Sequence, residues 1–450
     1  MKNKILLLII SLIVVSCSAY FDKPPTNAVN EDDISIATFP AIRIGLYDAI
    51  QTGWNLFWLT EDNSSDNLVY RASYTQHEEI DNNMISLNNS FMNNDWGYIY
   101  RAISKCNKFI IALNKETDQT LSIGGMTITQ YIAEARAIRA YVYYKGITLW
   151  GDMPYLDENT TLEQAMIISR SPVADILPKM IADLKFAQDN SRAYSVTGPR
   201  YLSKESITAL LARVYLYADD LPNARIEAEK VIASTSVEIN DKYFDIWRGA
   251  NEKEMLFYIA GAATDQNSHG FYLRAEANNG RFELPVDPTL VADFAVEPTD
   301  IRKNIIATLP NPTGPLYTYE TTKYNNADNS DIWPVVRVAE MYLISAEAAG
   351  YPAGLTRLNE LRAKRALPAL TTTNIPNTTA FATAVMRERR LELCFEGHRF
   401  TDLKRMCKKY NLNIANYLPN ITGINDPMLL YPVPQDQILI NPNLTQNPGY

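Results

Sequence analysis

The chain has 450 residues, 46% of them hydrophobic, enough for one large domain or two or three ordinary ones around a sizeable core. Its formal net charge of −9 argues against nucleic acid, whose phosphates need a basic patch, and against docking on anionic lipid head groups. Three His and four Cys, without paired metal-ligand spacing, leave little material for a metal site.

The first residues carry a processing signal. Lys2 and Lys4 precede an apolar run from Ile5 to Val15, and Ser16 and Cys17 follow. Charged, then apolar, then small is the order of a secretion signal, and the run is too short to stay in a bilayer as a spanning helix. A small residue directly before Cys resembles a bacterial lipobox, in which cleavage precedes the Cys and Cys17 is lipidated; an ordinary cleaved signal with a chance Cys is the alternative. Residues 1–16 are then the signal peptide, and 17–36 the lipidated Cys with a polar tether containing Pro24 and Pro25. Acyl chains hold a protein on a membrane without spanning it, at roughly 0.8 kcal/mol per buried CH2. By analogy with lipoprotein sorting in Gram-negative bacteria, Ser18 after the Cys, in place of Asp, favours the outer membrane. Cys106, Cys394 and Cys407 remain, an odd number, and read as small buried thiols.

Helical periodicity begins near Ala37. Ile42, Leu46, Ala49 and Ile50 recur at spacings of three and four, which predicts one helix over 40–59. Residues 60–81 are polar and read as irregular. Helices follow at 96–113 and at 134–150, the latter stopped by Gly151 and Pro154. Further helices are expected at 172–189, 204–218 and 222–234. The last two, with short loops and small residues (Ala209, Ala212, Ala224, Ala228), look like a tetratricopeptide-type hairpin. From 239 to 331 apolar runs are short, and Asn, Gly, Pro, Tyr and Phe are frequent; this reads as loops with a few short strands over a helical base. Helices return at 334–349, 354–366 and about 379–409, and the Pro- and Asn-rich end from 427 should pack onto the body. The expected fold is mainly α: tetratricopeptide-like hairpins forming a curved base, with a loop-rich ligand region. The N-terminal helical part is 37–238, and the loop-rich then helical part is 239–450.

Two clusters invite a catalytic reading. Glu388, Glu392 and Glu396, spaced by four, share one helix face and would repel if unpaired. Glycosidase carboxylates face each other across a substrate, whereas these stand in a row. Neutralisation at helix contacts by Arg389, Arg390, Arg399, Arg136, Arg139 and Arg362 is the structural alternative. His398 has no recognisable nucleophile setting, and the chain has no His-Glu-x-x-His, so a neutral structural His is expected. Gly124-Gly125 reads as a turn, and the Asn/Asp-rich segments lack calcium-loop spacing. No catalytic residue, metal or cofactor is assigned.

Four stretches together resemble the SusD/RagB family of Bacteroidetes outer-membrane nutrient-binding lipoproteins. They are Ala133-Glu-Ala-Arg-Ala-Ile-Arg-Ala-Tyr-Val-Tyr-Tyr with Leu149-Trp-Gly-Asp-Met-Pro, Val336-Arg-Val-Ala-Glu-Met-Tyr-Leu-Ile-Ser-Ala-Glu-Ala, Arg387-Glu-Arg-Arg-Leu-Glu-Leu-Cys-Phe-Glu-Gly-His-Arg-Phe-Thr-Asp-Leu-Lys-Arg, and Tyr431-Pro-Val-Pro-Gln with the end from Asn441 to Tyr450. Asn359-Glu-Leu-Arg-Ala-Lys-Arg-Ala looks like the family's Asn-x-x-Arg-x-Arg-Ala segment. The resemblance spans essentially the whole mature chain. It implies a non-enzymatic protein on the cell exterior that captures a glycan, or in some relatives a peptide, and caps a TonB-dependent (SusC-like) transporter.

The family has no ligand motif that carries over residue by residue, so candidate contacts come from chemistry. A sugar ring has an apolar C–H face and a polar rim, and suits aromatic platforms flanked by amides and arginines. Three loop regions offer that mixture: 63–74, with Asn67, Tyr70, Arg71 and Tyr74; 266–281, with His269, Tyr272, Arg274 and Asn278; and 317–326, with Tyr317, Tyr319, Lys323 and Tyr324. The selected contacts are Tyr70, Tyr74, Asn67, Arg71, Tyr272, Asn278, Tyr319 and Tyr317. Packing over the helices is the alternative for each ring. Trp54, Trp58, Trp96 and Trp150 fall on helical patterns and read as core.

Overall fold

The computed structural model describes residues 34–51, 57–71, 73–248, 252–267 and 269–450. The signal peptide, Cys17, most of the tether and Trp54 lie outside the described residues.

The first helix, α1 (Phe39–Gln51), buries Phe39, Leu46 and Ile50. A second, α2 (Phe57–Asn63), continues past the expected end at 59 into the polar run. That run is not a solvent loop, because Glu61, Asp62, Asn63, Ser64 and Asn67 are all buried. Asp62 explains how. One carboxylate oxygen accepts from Asn67 Nδ2 at 2.7 Å and from the Phe395 amide at 2.9 Å, and the other accepts from the Gly397 amide at 2.8 Å. Burial still pushes this carboxyl up to about 6, against those three donors. A third helix, α3 (Thr75–Asp81), also lies where irregular chain was expected.

The helical body follows the periodicity closely. In α4 (Ser90–Leu113) the Asn89 side chain accepts from the amides of Phe91 and Met92. Gly124-Gly125 forms the turn of a small hairpin, β1 (Ser122–Ile123) with β2 (Met126–Thr127). A Thr127/Gln130 capping box then starts α5 (Ile128–Trp150) six residues before the expected position, and Gly151, at φ +72°, ends it. Nearly every residue of α5 is buried, because α4 and α6 (Val173–Asn190) both pack against it. Next, α7 (Lys204–Tyr217) pairs with α8 (Leu221–Ile232), which carries Pro222 in its first turn.

The loop-rich region contains two short antiparallel pairs: β3 (Met255–Ile259) with β6 (Trp333–Arg337), and β4 (Ile306–Thr308) with β5 (Tyr319–Thr321). The helix expected over 334–349 therefore begins only after β6, as α9 (Val338–Ala349). It packs on α8, on α10 (Leu355–Lys364) and on α11 (Thr378–Leu393). The stretch expected over 379–409 divides into α11 and α12 (Arg399–Tyr410), because Phe395 and Gly397 adopt φ of +63° and +72° between them. The described chain is mainly helical, with few short strands.

The carboxylate row on α11 and just beyond it is buried and paired. Glu392 takes two bonds from Arg365, at 2.9 and 2.8 Å, and one each from Arg337 and Arg302 at 3.1 Å. Burial pushes Glu392 up, but the charges of Arg365, Arg337 and Arg302 overcome it and hold the carboxyl well below its usual range. Of the six arginines expected to serve the row, Arg362 does so, reaching Glu388 at 2.8 Å. The others serve different acids: Arg389 bonds Asp402, Arg399 bonds Asp66, Arg390 bonds Asp293, and Arg136 and Arg139 reach Glu158 and Asp183. The principal partners come from β6 and the ends of other elements, where helical spacing gives no hint. His398 is buried between α11 and α12, and burial, reinforced by surrounding arginines, lowers it well below the usual imidazole range, so it is neutral.

Candidate functional site: a loop face with half-buried tyrosines

The three loop regions form one surface. Leu68 bridges Val286, the Val69 amide donates to Pro285 O at 3.0 Å, and the Arg71 amide donates to Glu283 O at 3.0 Å. The same strip continues to β5, where the Val286 amide donates to Tyr319 O at 3.0 Å. The Arg281 amide donates to Phe271 O at 2.7 Å and the Glu283 amide to Tyr272 O at 2.9 Å, which folds 271–283 back on itself. Gly280 permits that return: a Cβ there would lie 2.0 Å from Arg274 O. Glu320 fastens the loop to β5, accepting from the Ala275 amide at 2.6 Å and from Asn278 Nδ2 at 2.7 Å.

Two aromatic groups stand on this surface. In the first, Tyr74 lies edge-on to Tyr272, with ring centroids 6.2 Å apart, and to Phe91 at 5.7 Å, and the Arg281 guanidinium sits 4.2 Å over the Tyr74 ring. His77 lies beneath them. Burial and the charge of Arg281 push its imidazole down to about 3, so it is neutral. In the second, Arg71 lies 5.3 Å over Phe282 and bonds Glu276 at 3.0 Å. These side chains, with Pro310, Asn311 and Tyr317, line a cavity of about 210 Å³. Tyr70 stands beside it. Its phenol is pushed up by burial first and then by Glu78 and Glu283, with Tyr317 close enough to contribute.

Tyr70, Arg71, Tyr74, Tyr272, Tyr317 and Tyr319 are half-buried, and Asn278 is exposed. Asn67 is different: its amide is enclosed between Asp62 and Arg390, so it is a strut and offers a ligand nothing. His269, Arg274, Lys323 and Tyr324, also within the expected regions, are buried as well. Arg274 pairs with Asp331 at 3.1 Å and Lys323 with Glu396 at 2.5 Å. The sequence reading missed Phe282, Glu283 and the 309–313 segment. The Arg281-Phe282-Glu283 alternation and the Pro310-Asn311-Pro312 turn were the available signals.

The surface is suited to holding a polyhydroxylated chain. Rings half sunk in the fold keep one face or edge in solvent, and guanidinium and amide groups surround them. The nearby carboxylate of Glu283 is occupied by the Tyr74 amide at 2.7 Å and by Arg281 at 3.2 Å. Among the described residues there is no group of three or more His, Cys, Asp or Glu that could hold a metal ion.

Comparison with known proteins gives consistent matches. Residues 310–450 match the model described as the SusD family, and residues 20–216 match the model described as "Starch-binding associating with outer membrane". The chain is 25% identical over 516 aligned residues, spanning 100% of both chains, to SusD-like protein P2 of Formosa agariphila. It superposes on a SusD superfamily protein from Bacteroides thetaiotaomicron with a TM-score of 0.79 at 18% identity, covering 92% of this chain and 100% of the other. It superposes on a laminarin-binding SusD-like protein with a TM-score of 0.78 at 21% identity, covering 92% and 99%.

Proposed function

The chain belongs to the SusD family, and on that premise we propose that it is a cell-surface binding lipoprotein. It is anchored through Cys17 in the outer membrane, faces the exterior, and captures a glycan or oligosaccharide on the loop face. It passes that cargo, chemically unchanged, to a TonB-dependent, SusC-like transporter. The observation that carries this reading is the convergence of Tyr70, Arg71, Tyr74, Tyr272 and Tyr317 on one face, half-buried and flanked by guanidinium groups. A membrane-associated role agrees with the wording of the N-terminal family model. No helix among the described residues is long and apolar enough to cross a membrane.

Native electrophoresis of the body from Ser18 onward, through gels each containing one polysaccharide, tests the proposal. Retardation in at least one gel, without release of reducing ends from that polysaccharide, is the expected result. Uniform mobility across a broad panel would overturn the glycan reading and direct attention to peptide cargo. Release of reducing ends would mark a hydrolase.

A further inference from the structure

A second cavity lies away from the loop face, between α12, the ends of α5 and α7, and the chain around 424–430. Its volume is about 490 Å³, within the range of roughly 300–1,000 Å³ usual for small-molecule sites. Thr401, Lys404, Arg405 and Lys408 line it from α12, at the spacing that places them on one helix face. The opposite wall is aliphatic, with Ile424, Leu429 and Leu430.

The polar groups here are incompletely served. Lys404 Nζ donates to Thr148 O at 2.5 Å and to Leu429 O at 3.1 Å, which uses two of its three protons. No carboxylate among the described residues forms an ion pair with it. Burial, opposed by Glu61 and reinforced by Lys145, pushes its amine down to about 7, the behaviour of a cation short of counter-charge. Thr401 is 4% exposed, and its Oγ1 has no hydrogen-bond partner among the described residues. Lys408 is exposed and unpaired among the described residues. Arg405 is already balanced by Glu347 and Asp402. Asp426, the one acid in the lining, is held by the Thr422 hydroxyl and by the amides of Thr422 and Met428.

We propose that this cavity binds a small organic carboxylate, with Lys404 and Lys408 as its cationic contacts, the Thr401 hydroxyl as a further donor and the aliphatic wall against the ligand's carbon body. The incoming carboxylate takes the third proton of Lys404 and supplies the counter-charge that the fold leaves out. This site is independent of the reading of the loop face. A uronic acid and the free C-terminus of a short peptide present the same chemistry.

The test is calorimetry on the body from Ser18 onward, with glucuronate against glucose and with a free tripeptide against its C-terminal amide. At least one carboxylate should bind while its neutral counterpart does not, and whichever binds identifies the source. The bound carboxylate should slow acetylation of Lys404 and Lys408 by acetic anhydride, read peptide by peptide in a mass spectrometer. Lys408→Gln should weaken binding about tenfold at an unchanged melting temperature. Lys404→Met should abolish it; should that variant fail to fold, the Lys408 variant and the acetylation pattern decide. Absence of binding by both carboxylates, equal binding of a neutral counterpart, wild-type affinity in Lys408→Gln, or unprotected lysines would each overturn the proposal.

Discussion

Arg337 donates to both oxygens of Glu396, each at 2.8 Å, and the two side chains are almost wholly withdrawn from solvent. The pair joins β6 to the turn between α11 and α12, and Glu392 and Glu254 extend it into a network reaching Arg302 and Arg365. Each carboxylate of the row is thus engaged by cations of the scaffold, Glu388 and Glu392 on α11 and Glu396 in the turn beyond it, which accounts for the four-residue spacing structurally. The same network holds the turn whose amides grip Asp62, and through it the segment carrying Tyr70 and Arg71.

Breaking the pair leaves a buried charge. Arg337→Met should destabilise the protein by about 3–5 kcal/mol in urea unfolding, since the stranded carboxylates lose their partner. A loss below about 1 kcal/mol would mean that the network does not hold this part of the fold together.

Asn67 should behave as a structural residue. Asn67→Ala leaves Asp62 and Arg390 each short of a partner and should cost about 1–3 kcal/mol of stability, with ligand affinity unchanged. Lost affinity at unchanged stability, seen by titration alongside urea melts, would return Asn67 to the ligand-contacting set.

The aromatic contacts divide by their surroundings. Tyr317 lines the cavity and Tyr70 stands beside Tyr317, so Tyr70→Ala and Tyr317→Ala should each weaken glycan binding several-fold, at about 0.5–1.5 kcal/mol per ring, with little change in melting temperature. Tyr74 and Tyr272 interlock with each other, and Tyr74 also with Phe91, so their alanine variants should lower both affinity and stability.

His269 gives a pH signature. Both ring nitrogens are buried without partners among the described residues, and burial, aided by Arg274, pushes the imidazole down to about 3, whereas in the unfolded chain it titrates near 6.5. Between those values the unfolded chain binds the proton and the native one does not. The contribution of this group is therefore intact above about 6.5 and is lost as pH falls towards 3. His269→Phe keeps the edge contacts with Tyr324 and Trp333 and removes the titration. Denaturant midpoints at pH 7 and pH 4.5 should show the variant losing less stability than the wild type on acidification. Equal losses would contradict this assignment.

Much of the architecture was legible because local signals and tertiary packing agree. The α5 helix, its Gly151 stop and the α7–α8 hairpin follow directly from periodicity and small residues at contacts. What stayed hidden depends on distant partners. The polar 60–67 run reads as irregular, yet Asn67 meets Arg390, 323 positions away, and a polar run can be ordered and buried where distant partners are supplied. Pro334-Val-Val-Arg337 reads as the start of a helix, yet β3 supplies it with a ladder. The α11–α12 break rests on a left-handed Phe395, a backbone state that no side-chain pattern announces. The tyrosines of the loop face could be picked out as amphipathic residues in loop sequence, but their meeting on one surface depends on backbone pairing between 68–71 and 283–287.

Whether the loop face holds the ligand is decided by calorimetric titration of the wild type and of the Tyr70→Ala/Tyr317→Ala double variant. The titrant is an oligosaccharide cut from whichever polysaccharide retards the wild type. Saturable binding by the wild type is expected, with its loss in a double variant that melts at nearly the same temperature. Undiminished binding with both tyrosines removed would place the ligand elsewhere on the molecule.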